Sequence, residues 1–373
     1  MEGHAAGSAG SDAATAGAAA GSDVTLERIR EAAGVIRGAV VYTPLLPFGT
    51  PEPGDPLGRT RAWLKPESLQ PIGAFKLRGA YYNIATLPAE RRAAGVVSHS
   101  SGNHAQGVAR AARLLGVRAV IVMPSDAPRI KVDRVREDGA QIVFVGPSSE
   151  ERAERAAEIA RVEGLSPVGP YDDAATVTGQ GTIGLEIVEQ LADLDSGLGR
   201  GTGQPGVAEP FTVLVPVGGG GIAAGVAVAV KSLRPDAVVI GVEPALAADA
   251  RDSLREGRIV TWPVETVGRT IADGQRTASI GQINLALMRM YLDGIVVVEE
   301  DEIARAMVRA SREARLVLEP SGATALAAWL FHADELPALG AATAGRVVCI
   351  LSGGNVDPAR YEELLARGVA AGG

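Results

Sequence analysis

A lone cysteine, Cys349, excludes a disulfide framework, and its place in the apolar run Val347 to Leu351 reads as a buried strand with an inert thiol. No stretch of about 18 uninterrupted apolar residues is present, and the N-terminus lacks the basic start and apolar run of a secretory signal. A cytoplasmic protein without a membrane partner is expected. Basic residues are in deficit, with 36 Lys and Arg against 44 Asp and Glu. The net charge of -8 argues against a nucleic-acid partner, which would need a basic surface. Aromatics are scarce at 4%, but a hydrophobic content of 46% suffices for one large or two medium cores. The expected partner is a small molecule.

Residues 1–22 are nearly all Ala, Gly, Ser and Asp, with nothing large to bury against the entropy of ordering, so a disordered tail is predicted there. From Val24 onward short β-branched runs alternate with Ala-rich amphipathic stretches, the pattern of βα units around parallel sheets. One series of strands is Val96 to Ser98, Ala119 to Met123 and Gln141 to Val145, separated by helices over Ala105 to Leu115 and Lys131 to Glu137. A second series is Thr212 to Val217, Val238 to Val242, Ile295 to Val298 and Arg346 to Leu351. Residues 196–209 read as an exposed loop, and Asp357-Pro358 marks a helix start, because Asp caps and Pro suits the first helical position.

Four segments carry chemistry. Gly218-Gly219-Gly220-Gly221 joins the strand ending at Val217 to a helix over Ile222 to Leu233, so its bare N–H groups and the helix N-terminus suit a phosphate. It is neither a GxGxxG dinucleotide loop nor a P-loop, since no GK[ST] follows. Lys76 lies in Gly73-Ala74-Phe75-Lys76-Leu77-Arg78-Gly79; alone it reads as a surface charge, but desolvated beside a phosphate it would be a nucleophilic amine. Ser100-Ser101-Gly102-Asn103-His104 follows a strand and opens a helix, where N–H and hydroxyl donors can hold an anion. Its His104 and the nearby His99 have no further His or Cys near in sequence, which argues against zinc. Ser352-Gly353-Gly354-Asn355 follows the last strand and would open on the same sheet edge as the tetraglycine. Taken singly, these last two read equally well as a polar helix cap and a tight turn.

Together and in this order, the four segments resemble the fold type II pyridoxal-phosphate enzymes, specifically the serine/threonine dehydratase and serine racemase family, over about residues 24 to 360. The resemblance implies a tryptophan synthase β-like α/β fold of two parallel-sheet domains, a small one over 95–172 set into a large cofactor-binding one made of 23–94 and 173–373. It implies pyridoxal 5'-phosphate as cofactor, Lys76 as its Schiff-base lysine and Phe75 packed beside its ring. Asn103 would face the 3'-hydroxyl, Gly218 to Gly221 the phosphate, and Ser352 the ring nitrogen. Ser100, Ser101, Gly102, Asn103 and His104 would take the substrate. A neutral Ser at the ring nitrogen favours prompt loss of a β-leaving group. The implied reaction is therefore conversion of L-threonine or L-serine to a 2-oxo acid and ammonia.

The chain also departs from the commonest pattern. Ala74 stands where many relatives have Ser, and Ser101 replaces the Ala of biosynthetic threonine dehydratases, as in serine racemases and hydroxyaspartate dehydratases. A second acid/base opposite Lys76 follows from that Ser, which keeps serine racemase and 3-hydroxyaspartate dehydratase as alternatives and a non-catalytic cofactor-binding regulator as a distant one. Glu243, Ala247 and Asp249 resemble the divalent-cation site of that branch and suit magnesium or calcium, although two solvated carboxylates read similarly. The resemblance further implies a homodimer. The chain ends soon after Ser352, which leaves no room for a C-terminal regulatory domain, so control by isoleucine is not expected.

Overall fold

A computed structural model describes residues 23–49, 62–100, 102–127, 129–146, 148–196, 209–341 and 345–373. The expected tail over 1–22, most of the expected loop over 196–209, and Ser101 lie outside the described residues. Among the described residues ten strands form two sheets: β1 Leu46–Phe48, β2 Ala62–Pro66, β3 Val96–His99, β4 Ala119–Pro124, β5 Gln141–Val145, β6 Ser166–Pro167, β7 Phe211–Pro216, β8 Val238–Pro244, β9 Gly294–Val298 and β10 Arg346–Leu351. The smaller sheet runs β5-β4-β3-β6 and is wholly parallel. The larger runs β1-β2-β10-β7-β8-β9, parallel throughout except for β1 on its edge. The alternating pattern therefore gave the right class, α/β with parallel sheets. None of the described helices is long and apolar enough to cross a membrane.

The strands of the larger sheet are continuous apolar runs because both of their faces are covered. Successive side chains point to opposite layers, and Val213, Val215, Val239, Val348 and Ile350 join one core while Leu214, Ile240, Val242, Cys349 and Leu351 join the other. Helices Ala174–Asp195 and Gly221–Leu233 close the first layer; Glu300–Arg309 and Pro320–Phe331 close the second. Cys349 is buried and unpaired, and burial drives its thiol far above the usual range, which agrees with an inert core residue.

Beta-sheet order places the chemistry. β10, last in sequence, lies between β2 and β7, so the turn after it sits beside the loop after β7 and the segment after β2. In the smaller sheet, β3 is central and its C-terminal end carries Ser100. All four chemical segments thus leave parallel strands at their carboxyl ends, where open α/β sheets hold ligands. The helix after Asp357 forms as expected, Asp357 accepting from the N–H groups of Ala359 and Arg360 with Pro358 in the first position.

Candidate active site

Lys76 begins the helix Lys76–Thr86, directly after a turn stitched to the end of β10. The Phe75 N–H donates to the Ser352 carbonyl at 3.1 Å, Gly354 N–H to the Gly73 carbonyl at 2.9 Å, and Ala74 bridges Gly353. Two segments far apart in sequence therefore share a short backbone ladder. The Lys76 Nζ donates to the Pro170 carbonyl at 2.6 Å and lies 5.0 Å from the centre of the Phe75 ring. Burial lowers its pKa to about 8, close enough to neutrality for a usable fraction of free amine.

The tetraglycine turns from β7 into the helix Gly221–Leu233, with Gly220 at φ +91° in the left-handed region. A Cβ on Gly219 would overlap the Tyr171 ring, and one on Gly220 would stand 2.8 Å from Asn284 Cβ. Asn284 Nδ2 braces the turn from below, donating to the Gly219 carbonyl at 2.6 Å and the Tyr171 carbonyl at 3.1 Å. Since Tyr171 follows Pro170, the loop and the Lys76 amine meet at one short segment. A bare-backbone cradle at a helix N-terminus is the donor set a phosphate requires.

The third segment closes the site from the smaller sheet. Asn103 opens the helix Asn103–Leu115, donates from Nδ2 to Glu319 Oε1 at 2.6 Å and accepts at Oδ1 from Asn355 Nδ2 at 2.8 Å. Ser100 Oγ accepts from the Gly102 N–H at 3.2 Å, so this hydroxyl organises the turn itself. His104 is turned inward, with Nε2 on the Val168 carbonyl at 3.0 Å; burial, with Lys76 adding to it, drives its pKa to about 3 and keeps the ring neutral. Ser352 Oγ is buried and donates to the Ser321 carbonyl at 3.2 Å, which leaves an uncharged hydroxyl at the end of β10. Phe75, Lys76, Asn103, Gly218 to Gly221 and Ser352 thus come together.

The sequence reading missed the supports. Lys65, Glu67 and Arg78 are fully buried, and with Glu186 they form one charge-balanced cluster behind the Lys76 helix. It missed Glu319 as well, whose only local sequence signal is an acid ahead of a Pro at a helix start.

Glu243 and Asp249 do come together away from the lysine. Both Glu243 oxygens accept from the helix Asp249–Glu256, from the N–H groups of Ala250 at 3.0 Å and Arg251 at 2.8 Å. Burial first, then the Asp249 charge, raises the Glu243 pKa well above the carboxylate range, and burial raises that of Asp249 to about 7. Ala247 is buried in the turn between them, its N–H on the Pro244 carbonyl. Among the described residues no cluster of three or more His, Cys, Asp or Glu is placed to hold a metal ion.

Comparison with known proteins agrees with this architecture. The family model described as "Pyridoxal-phosphate dependent enzyme" matches residues 36–353. An L-threonine ammonia-lyase of Geobacter sulfurreducens is 39% identical over 312 residues, 83% of this chain and 71% of the relative. A serine racemase of Arabidopsis thaliana is 38% identical over 330 residues, 88% of this chain and 92% of the relative. The solved structure of maize serine racemase superposes with a TM-score of 0.80 at 33% identity, covering 93% of this chain and 98% of that one.

Proposed function

The chain belongs to the pyridoxal-phosphate dependent enzymes, and we propose that within this family it is a threonine/serine ammonia-lyase, converting L-threonine or L-serine to a 2-oxo acid and ammonia. The observation that carries the proposal is the meeting of the buried Lys76 amine, its pKa lowered toward neutrality, and the glycine cradle at Pro170-Tyr171. The residues present fit the cofactor: Gly218 to Gly221 would hold its phosphate, Lys76 its carbonyl carbon, Phe75 one face of its ring, Asn103 its 3'-hydroxyl and Ser352 its ring nitrogen. When bound, pyridoxal phosphate supplies an electron-withdrawing ring that weakens the Cα–H bond of an attached amino acid.

The protein's own part is to position groups and move protons. Near neutral pH the Lys76 amine can take a proton from Cα and return it toward the departing β-hydroxyl, because its pKa lies close to that of the medium. Ser100, Ser101, Gly102 and Asn103, with His104 behind them, would hold the substrate carboxylate at the helix start. The hydroxyl leaves as water, and the released enamine then takes up one water and gives off its nitrogen as ammonia, which yields the 2-oxo acid. The uncharged Ser352 supports elimination, since it does not hold the ring nitrogen protonated as a carboxylate would.

Racemisation is the second reading, supported by the likeness to the Arabidopsis relative. It would need Ser101 to deliver a proton opposite Lys76. An assay of 2-oxo acid release from L-serine, L-threonine and 3-hydroxyaspartate, with chiral analysis of the remaining substrate, tests both. The expected result is rapid 2-oxo acid formation from L-threonine or L-serine; D-serine accumulating without it would replace this reading by the second. We further propose a homodimer, on the family likeness, and a cytoplasmic location, on the N-terminal sequence.

For Glu243, Asp249 and the Ala247 carbonyl we propose magnesium or calcium, which prefer such oxygen ligands. Both acids hold a proton more tightly folded than unfolded. The stability this lends is complete below about pH 4, their unfolded range, and the part due to Asp249 is lost as pH rises through about 7. A bound cation would offset that loss. Thermal melts at pH 8 should therefore rise with added magnesium or calcium and fall with chelator, while melts at pH 5 respond to neither. An unresponsive wild type at pH 8, or an equal response in Glu243→Ala, would remove the cation from this reading.

A further inference from the structure

Glu319 stands at the start of the helix Pro320–Phe331 but caps nothing there. Only 3% exposed, it turns its carboxyl instead to Asn103, whose Nδ2 donates to Oε1 at 2.6 Å. The other end of the same amide accepts from Asn355, which is itself fixed by donation to the Ile72 carbonyl at 2.7 Å and by acceptance from Arg134. The Asn103 amide is thus gripped at both ends, by Asn355 of the fourth segment and by Glu319, which none of the four segments contains. Gly353 belongs to the same arrangement, because a Cβ there would overlap Glu319 Oε1. The glycine after Ser352 leaves the space that this carboxyl fills.

We infer that Glu319 is a positioning residue of the reaction site, acting through Asn103 by fixing the plane of the amide that the proposed function sets beside the cofactor. The inference rests on that reading of Asn103. Burial first, with Asp273 adding to it, pushes Glu319 up to about 8 against the opposing pull of the Asn103 hydrogen bond and of Lys131. Arg134, Arg276, Asp357 and Arg360 line the same cavity of about 270 Å³. Near neutral pH the side chain is therefore a neutral acid that accepts a hydrogen bond, a role glutamine can reproduce and alanine cannot.

The test uses the cofactor-loaded protein, with borohydride reduction and peptide mapping to locate the cofactor in each variant. Glu319→Ala should remain loaded on Lys76, yet show a displaced cofactor absorption band and about tenfold weaker cofactor binding, the worth of one buried hydrogen bond. Glu319→Gln should recover both band and affinity, and Glu319→Ala with Asn103→Ala should bind no more weakly than Asn103→Ala alone. Should Glu319→Ala not fold, Glu319→Asp, too short to reach Asn103, takes its place against Glu319→Gln. A wild-type band and affinity in the shortened variant, or additive losses in the double variant, would overturn the inference. If instead wild-type protein carried no cofactor on Lys76, the proposed function itself would fail, whatever Glu319 does.

Discussion

Lys76→Ala is expected to lower 2-oxo acid formation from L-threonine and L-serine by at least about 10⁴-fold, because one amine serves both as the cofactor's attachment and as the base at Cα. The structure also says why no other lysine can replace it. Lys65, Lys131 and Lys231 each face a carboxylate, at 2.6, 2.9 and 2.8 Å, and a paired ammonium is a poor nucleophile. Lys76 instead donates to the Pro170 carbonyl and has no ion pair with a carboxylate among the described residues, and its burial lowers its pKa to about 8. Incorporation of cofactor into the unloaded wild-type protein should accordingly quicken from pH 6 toward pH 9, with an inflection near 8. Lys76→Arg should be as inactive as Lys76→Ala, since a guanidinium stays charged throughout that range. Steady-state assays, with peptide mapping of the reduced protein, check each point. Retention of a tenth of wild-type activity by Lys76→Ala, or a pyridoxyl group on Lys65, Lys131 or Lys231, would show that the wrong amine has been chosen.

How much of this was legible depends on where the determining contact lies. Strands β3, β4, β5, β7, β8, β9 and β10 were readable because β-branched runs ended at glycine or polar turns, and their observed bounds differ from the expected ones by a residue or two. Strand β2 was not readable, since Lys65 interrupts Ala62–Pro66 with a charge that looks solvated until its partners on another helix are known. Glu319 was hidden for a similar reason: its partner Asn103 lies 216 residues away, and beside Pro320 it reads as a helix cap. Glu243 and Asp249 were named for the right proximity, but sequence spacing gave no hint that Glu243 would also bind the helix N–H groups of Ala250 and Arg251. The placing of the tetraglycine and Ser352 at strand ends was legible because local sequence controls it, whereas Lys76 alone read as a surface charge.

Replacing Glu186 by Ala is expected to destabilise the protein by about 3–5 kcal/mol, the cost of leaving a buried charge without its partner. Arg78 donates to Glu67 from Nε at 2.7 Å and from Nη2 at 2.8 Å, and to Glu186 from Nη1 at 2.6 Å and from Nη2 at 3.1 Å. Lys65 donates to Glu186 at 2.6 Å, to the Thr43 carbonyl at 2.6 Å and to Gln190 at 3.0 Å. Two cations and two anions balance, and loss of Glu186 leaves Lys65 and Arg78 sharing Glu67 alone. The Lys65 pKa is already lowered by burial, so this lysine should respond by giving up its proton rather than staying charged and unpaired. Removing a cation together with the anion restores the balance, so Lys65→Met with Glu186→Ala should cost less than the sum of its two single changes. Because Arg78 lies on the first turn of the Lys76 helix, the singly changed protein should also load cofactor more weakly in conditions where it remains folded. Urea unfolding of the two single variants and the double variant measures the coupling. If the double variant lost as much as the two singles added together, the four charges would not form one energetic unit, and the helix that carries Lys76 would owe its position to apolar packing through Leu77 and Ile84 instead.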